Sequence, residues 1–184
     1  MSAPAATLDK VAELRAQLSD PSCLDQSTLA RALYSTDASL YRVVPEVVAT
    51  PRTTDELIEL VRAGLAVGLP ITGRGAGTSC AGNAVGPGLV IDTSRYLNKV
   101  LSVDIEAGTA VIEPGVVQAM LQKEVNPHGW RYGPDPSTSN RCTVGGMIGN
   151  NACGPRALGY GRSADNIVEL EIITGTGELL TLRP

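Results

Sequence analysis

The sequence predicts an α+β fold, and three observations carry that prediction. Between Val47 and Asp92 the patterns run strand, helix, strand, glycine loop, strand, and two hairpin patterns follow downstream. Aromatic residues are only 3% of the 184 and phenylalanine is absent, so the core must be built from Val, Leu, Ile and Ala. That composition suits strands and layered helices rather than aromatic stacking. Two stretches, Gly73 to Gly88 and Tyr132 to Pro155, are glycine-rich, and the second is longer and richer in Pro, Gly and Asn than a simple connection needs. A chain of this length buries one substantial core, which implies one compact domain with room for two lobes.

Taken in order, Leu8, Val11, Leu14 and Leu18 have helical spacing with Pro21 just beyond, and a second helical stretch runs from Ser27 to Tyr34. The polar cluster STDASLYRVVP then ends at Pro45, so residues 1–42 read as a helical N-terminal segment and the main domain starts at about Val43. Val47 to Ala49 is a β-branched run. In the stretch after it, Thr53 and Glu56 can form a capping box, Leu57, Leu60, Val61 and Leu65 share one face, and Gly68 can end the helix. Strands are expected at Leu69 to Thr72 and Leu89 to Asp92. A hairpin is expected from Val100 to Glu113, then a short helix from Val116 to Val125 stopped by Pro127 and Gly129, and a last hairpin from Ile167 to Leu182 turning at Gly175-Thr176-Gly177. The chain ends at Pro184 almost on a strand, which reads as a fragment.

Composition narrows the function classes. With 15 basic and 19 acidic residues the net charge is −4, and no basic run suits a nucleic-acid backbone or an anionic membrane. No apolar stretch is long enough to span a bilayer, and MSAPAATLDK lacks the basic and apolar regions of a leader, so a cytoplasmic protein is expected. Cys23, Cys80, Cys142 and Cys153 are widely spaced without a C-x-x-C pair, so they read as buried reduced thiols rather than a disulfide framework or a metal site. His128, the only histidine, follows a helix end and suits an interaction with its last carbonyls.

The first glycine stretch does not fit a dinucleotide fingerprint. Thr78 stands where the third glycine belongs, and TSCAGNAVGPG has three glycines and a proline where the helix would run; Asp92 alone favours a ribose site. A P-loop lysine is also missing. What remains is a nest: the N–H groups of Gly75, Ala76, Gly77, Thr78 and Ser79 can converge on a pyrophosphate, the two hydroxyls adding donors and Arg74 adding charge. The competing reading is a tight surface turn with Arg74 in a solvated ion pair. In the second stretch, Pro134 and Pro136 stiffen Asp135 and its neighbours, Thr143 to Gly146 allow close backbone approach, and Gly149 to Gly154 offer small side chains against which a planar ring can lie. Neither stretch is expected to open a helix.

The order of these segments resembles the FAD-binding PCMH-type domain of vanillyl-alcohol-oxidase-like flavoenzymes, from about Asp37 to Arg183. It is most similar to the D-lactate, glycolate and D-2-hydroxyglutarate dehydrogenase branch. TDASLYRVVPEVVATP, RGAGTS, PDPSTSNRCTVGGMIGNNACG and YGRSADNIVELEIITGTGE carry the resemblance, and the third is similar to the subgroup whose longer members add a C-terminal iron–sulfur domain. The resemblance implies two α/β subdomains with FAD between them. Gly73 to Ser79 would hold the pyrophosphate, and Asp135, Pro136 and Ser137 would lie along the FAD. Thr143, Gly146, Asn150, Asn151, Ala152 and Cys153 would line the flavin. Because Gly73 to Ser79 contain no histidine, noncovalent FAD is implied. Cys142 is one residue out of register with the linking cysteine of some relatives and reads as a packed thiol.

The implied chemistry is oxidation of a small 2-hydroxy acid, with hydride transfer to the flavin and electrons leaving to an unspecified acceptor. The substrate cap, the catalytic base and any iron–sulfur cluster would lie beyond Pro184, so no catalytic residue is assigned here. The alternatives are a noncatalytic flavin or nucleotide-binding module, and an NAD-binding Rossmann domain, which would require a helix after Ser79.

Overall fold

The computed structural model describes residues 5–183, with side chains from residue 10 onward; Leu8's side chain and Pro184 lie outside the described residues. The chain opens with α1 (Ala5–Gln17), β1 (Leu24–Asp25) and α2 (Thr28–Leu33), followed by β2 (Val47–Ala49), α3 (Thr54–Ala66), β3 (Ile71–Arg74) and β4 (Leu89–Asp92). These strands form one sheet in the order β1-β2-β4-β3, with β2, β4 and β3 parallel and β1 antiparallel at the edge. The central strand β4 is buried along its whole length, which is why Leu-Val-Ile reads as a continuous apolar run rather than an alternation.

Local chemistry accounts for α3. Thr53 Oγ1 accepts from the Glu56 N–H at 3.1 Å, while Glu56 Oε2 accepts from the Arg52 N–H at 2.7 Å, so the reciprocal bond of the expected box falls one residue earlier. Gly68, at φ +67°, ends the helix in the left-handed region. Leu60 and Ala63 of α3, Val11 and Leu14 of α1 with Leu18 just after it, and Val47, Leu89 and Ile91 of the sheet form one apolar cluster. Truncating a fully buried member such as Leu89 to Ala costs about 2–5 kcal/mol.

A second cluster forms around β5 (Val100–Asp104), β6 (Thr109–Ile112), α4 (Gln118–Val125) and α5 (Val144–Gly149). Val116, Leu121, Val125 and Val144 are its buried members, with Val100, Val103, Ile112, Tyr132 and Ile148 packed against them. The chain continues through α6 (Ala157–Tyr160) to the antiparallel hairpin β7 (Leu170–Ile173) and β8 (Leu179–Leu182). Among the described residues, no aromatic residue is one of the buried hydrophobics. No helix among the described residues is long and apolar enough to cross a membrane.

Four expectations are corrected. The third strand starts at Ile71 and takes in Gly73 and Arg74, which pair with Ile91 and Asp92. The short helix expected from Val116 begins at Gln118. The second glycine stretch does open a helix: Thr143 caps α5, its Oγ1 accepting from the Gly146 N–H at 3.3 Å. Cys23 and Cys142 are buried but Cys80 and Cys153 are exposed.

Candidate functional site

The first glycine loop leaves the C-terminal end of β3, an edge strand of the sheet, and crosses residues 75–88 without a helix. The helix that a Rossmann nucleotide site requires after Ser79 is therefore missing, and Asp92 is otherwise engaged. It is buried, accepting from Tyr34 Oη at 2.5 Å and from the Ser94 N–H and Oγ at 2.7 and 2.6 Å.

Among the described residues, none of the N–H groups of Gly75, Ala76, Gly77, Thr78 and Ser79 donates an internal hydrogen bond. Consecutive unengaged donors on a loop with a left-handed glycine, Gly77 at φ +67°, are what an anion-accepting nest consists of. The side chains depart from expectation. Ser79 Oγ donates to Asn83 Oδ1 at 2.6 Å, so that hydroxyl is engaged within the loop. Arg74 turns under the loop: Nη1 donates to the carbonyls of Thr36 and Ala84 at 2.9 and 3.0 Å, and the guanidinium carbon lies 5.1 Å from the Tyr34 ring centroid. It is thus engaged in shaping the loop, rather than in the solvated ion pair of the competing reading.

The second stretch is held by α4. Gln118 Nε2 donates to the Pro134 carbonyl at 3.2 Å, and Gln122 makes a paired contact with the Tyr132 backbone at 2.7 and 3.2 Å. Asp135 is paired with Arg156, whose Nε lies 3.2 Å away and whose N–H donates at 3.3 Å, so its negative charge is balanced locally. Pro136 accepts from the Ser139 N–H at 3.0 Å, which turns the chain past exposed Ser137. A β-carbon on Gly154 would overlap the Asp135 carbonyl, so the two ends of the stretch lie against each other.

Asn150 and Asn151 follow α5 directly. Asn151 holds φ +46°, and its Oδ1 accepts from the Ala164 N–H at 3.1 Å. The Ala152 carbonyl accepts from Ser163 N–H and Oγ at 2.9 and 2.8 Å, while Cys153 is exposed. Burial pushes the Tyr132 phenol pKa up. The Ser163 hydroxyl beside it opposes the shift, and among the described residues Tyr132 Oη is buried without a hydrogen-bond partner.

The two stretches meet at Gly75 and Thr143. A β-carbon on Gly75 would overlap Thr143 Oγ1, so the nest rests on the residue that caps α5. That contact joins the end of the first core's sheet to a helix of the second core. On the side where a β-carbon would stand, Gly73 and Gly149 face open space, and Gly146 has only Thr143 Oγ1 at 3.1 Å. Unengaged donors in one loop and bare glycine faces in both fit a ligand with a pyrophosphate and a flat ring. His128 is exposed and its ring makes no hydrogen bond among the described residues.

Sequence reasoning missed Tyr34, Arg156 and Ser163, which touch the candidate residues Arg74, Asp135 and Ala152, and Asp37, which holds the first glycine loop at Ala84. Only the Asp-x-Ser pattern of Asp37 and Ser39 signals a local turn, and it does not say what the turn touches.

Comparison with known proteins agrees with the geometry. A D-2-hydroxyglutarate dehydrogenase of Pantoea ananatis is 37% identical over 157 residues, which is 84% of this chain and 15% of that protein. The glycolate oxidase subunit GlcD of Bacillus subtilis is 34% identical over 172 residues, 92% of this chain and 37% of that one. An alkyldihydroxyacetonephosphate synthase superposes on all of this chain with a TM-score of 0.83 at 27% identity, and the match covers 36% of that structure. The chain thus spans a minor part of the length of each of these relatives. Residues 45–183 match the family model described as FAD binding domain, and the chain belongs to that FAD-binding family.

Proposed function

We propose that this chain is the FAD-binding portion of a flavin-dependent oxidoreductase that oxidises a 2-hydroxy acid. The observation that carries the reading is the contact of Gly75 with Thr143, which brings the start of the first glycine loop against the residue that caps α5. In this reading Gly73 to Ser79 hold the pyrophosphate, with Arg74 acting from beneath. Asp135, Pro136 and Ser137 run along the cofactor, and Thr143, Gly146, Asn150, Asn151, Ala152 and Cys153 line the ring. When bound, the flavin supplies the capacity to accept a hydride from the substrate carbon. The substrate class rests on the names of the relatives, D-2-hydroxyglutarate dehydrogenase and glycolate oxidase subunit. The binding unit, by this reading, runs from about Val43, in a protein that works in the cytoplasm with its thiols reduced.

Attachment is noncovalent in this reading, since no histidine lies in residues 73–79. Acid precipitation should leave the flavin in the supernatant; flavin on the pellet would contradict this. The activity is tested with the longest natural polypeptide that carries this sequence, by dye reduction with D-lactate, glycolate or D-2-hydroxyglutarate and FAD in excess. Turnover of one of them supports the reading. A FAD-loaded protein that oxidises none of them favours a noncatalytic flavin-binding module.

A further inference from the structure

Residues 35–43 form a small closed loop outside the stretch that matches the FAD-binding family, 45–183. The Val43 N–H donates to the Ser35 carbonyl at 2.9 Å, and Thr36 and Arg42 make an isolated antiparallel bridge. Inside, Asp37 Oδ1 accepts from the Ser39 N–H at 2.8 Å, and Ser39 Oγ accepts from the Tyr41 N–H at 3.1 Å. The loop is therefore shaped by its own short polar side chains.

What it touches is the first glycine loop, at several successive points. The Ala38 N–H donates to the Gly77 carbonyl at 3.0 Å. Asp37 Oδ2 accepts from the Ala84 N–H at 3.3 Å, and the Thr36 carbonyl shares Arg74 Nη1 with the Ala84 carbonyl. A β-carbon on Gly82 would stand 2.6 Å from Tyr41 Cδ2, so that ring lies on the loop. Behind Arg74 stands the Tyr34 ring, itself tied to buried Asp92. Every one of these bonds engages a carbonyl, a side chain or the Ala84 N–H, and none uses an N–H of residues 75–79.

We propose that residues 34–41 are a clasp that holds the 75–84 loop in its anion-accepting shape before any cofactor arrives, with Asp37 and Tyr34 as positioning residues. The proposal rests on the reading that this loop takes the pyrophosphate of FAD. A loop whose donors are free for a ligand has no ladder of its own to fix them. Ordering it in advance removes a conformational cost from binding. The clasp supplies that order from one side and leaves the donors free.

The test is hydrogen exchange on this chain with and without FAD, together with FAD affinity from flavin fluorescence for Asp37→Ala and Asp37→Asn. In the wild-type chain, the amides of Ala38 and Ala84 should be protected before FAD is added, and those of 75–79 only afterwards. Asp37→Ala should speed exchange at Ala84 and weaken FAD binding about tenfold, as expected for losing a charge-assisted hydrogen bond. Asp37→Asn, which keeps one acceptor oxygen, should fall between it and wild type. Unprotected Ala38 and Ala84 amides in the FAD-free wild-type chain would overturn the clasp without any variant. So would wild-type FAD affinity in a folded Asp37→Ala chain. FAD that binds without protecting residues 75–79 would overturn the pyrophosphate reading itself, and the clasp with it.

Discussion

The two glycine stretches reach a fixed shape by opposite routes. Residues 75–88 have almost no internal ladder and are gripped from outside by Thr36, Asp37, Ala38, Tyr41 and Arg74. The second stretch satisfies much of its backbone internally: Ser139, Arg141, Cys142, Met147, Asn150 and Ala152 all donate to carbonyls within it. In the proposed reading, the difference follows from what each presents. A nest must keep its N–H groups unbonded, so its order has to come from elsewhere, whereas a surface for a flat ring presents small side chains and can use its own main chain.

The largest effect is expected where the two meet. Gly75→Val places a branched side chain against Thr143, and FAD affinity should fall on the order of a hundredfold, with about 1–3 kcal/mol lost in a urea melt. Gly75→Ala should be milder. Adding Thr143→Ala to Gly75→Ala should recover part of the FAD affinity by removing the oxygen in the way, a non-additivity that a double-mutant cycle reads directly. Additive losses would mean that the two stretches are not in contact.

Thr143→Ala alone sharpens the contrast. Losing the cap of α5 should cost about 1 kcal/mol and speed exchange at Gly146 and its neighbours, leaving the clasp amides Ala38 and Ala84 unchanged.

Much of the first core was legible because its signals are local. Val47 to Ala49 and Leu89 to Asp92 are strands over the residues expected, since a parallel strand covered on both faces shows as an unbroken apolar run. Gly73 and Arg74 were read as loop because glycine is a poor strand former, but an edge strand paired on one side only tolerates it. α5 was illegible for a similar reason. Val-Gly-Gly-Met-Ile-Gly has three glycines in six residues, and its helix depends on the Thr143 cap and on burial of Val144 and Met147. Asp37 could not be found at all, because its partner Ala84 lies 47 residues away in the chain and turn chemistry does not specify a distant contact. The cysteines show the limit of composition: nothing in their spacing separates buried Cys23 and Cys142 from exposed Cys80 and Cys153.

Acid should loosen the first loop. Burial opposes charge on Asp37, yet the bonds from Ser39 and the Ala84 N–H outweigh it and hold its carboxyl below the usual carboxylate range. A depressed folded-state pKa contributes stability that is present above the unfolded value of about 3.9 and is lost as pH falls through the folded one. Below about pH 4, the protection of the Ala84 amide relative to its intrinsic exchange rate should therefore fall in wild type, and that fall should be absent in Asp37→Ala, whose amide is already released.

The smallest perturbation is a thiol reagent. Cys80 in the first stretch and Cys153 in the second are exposed and should be alkylated first. Cys23 and Cys142, whose thiol pKa values burial pushes up, should react only on unfolding. Bound FAD should slow Cys153, which the proposed reading puts along the ring, as judged by mass spectrometry of the alkylated peptides.

That the two stretches form one site is tested most directly by titrating the chain with FAD while following amide exchange in both at once. Protection of residues 75–79 and of 149–154 should rise together with a single midpoint at one FAD per chain. Protection confined to one stretch, or two separate midpoints, would contradict the account.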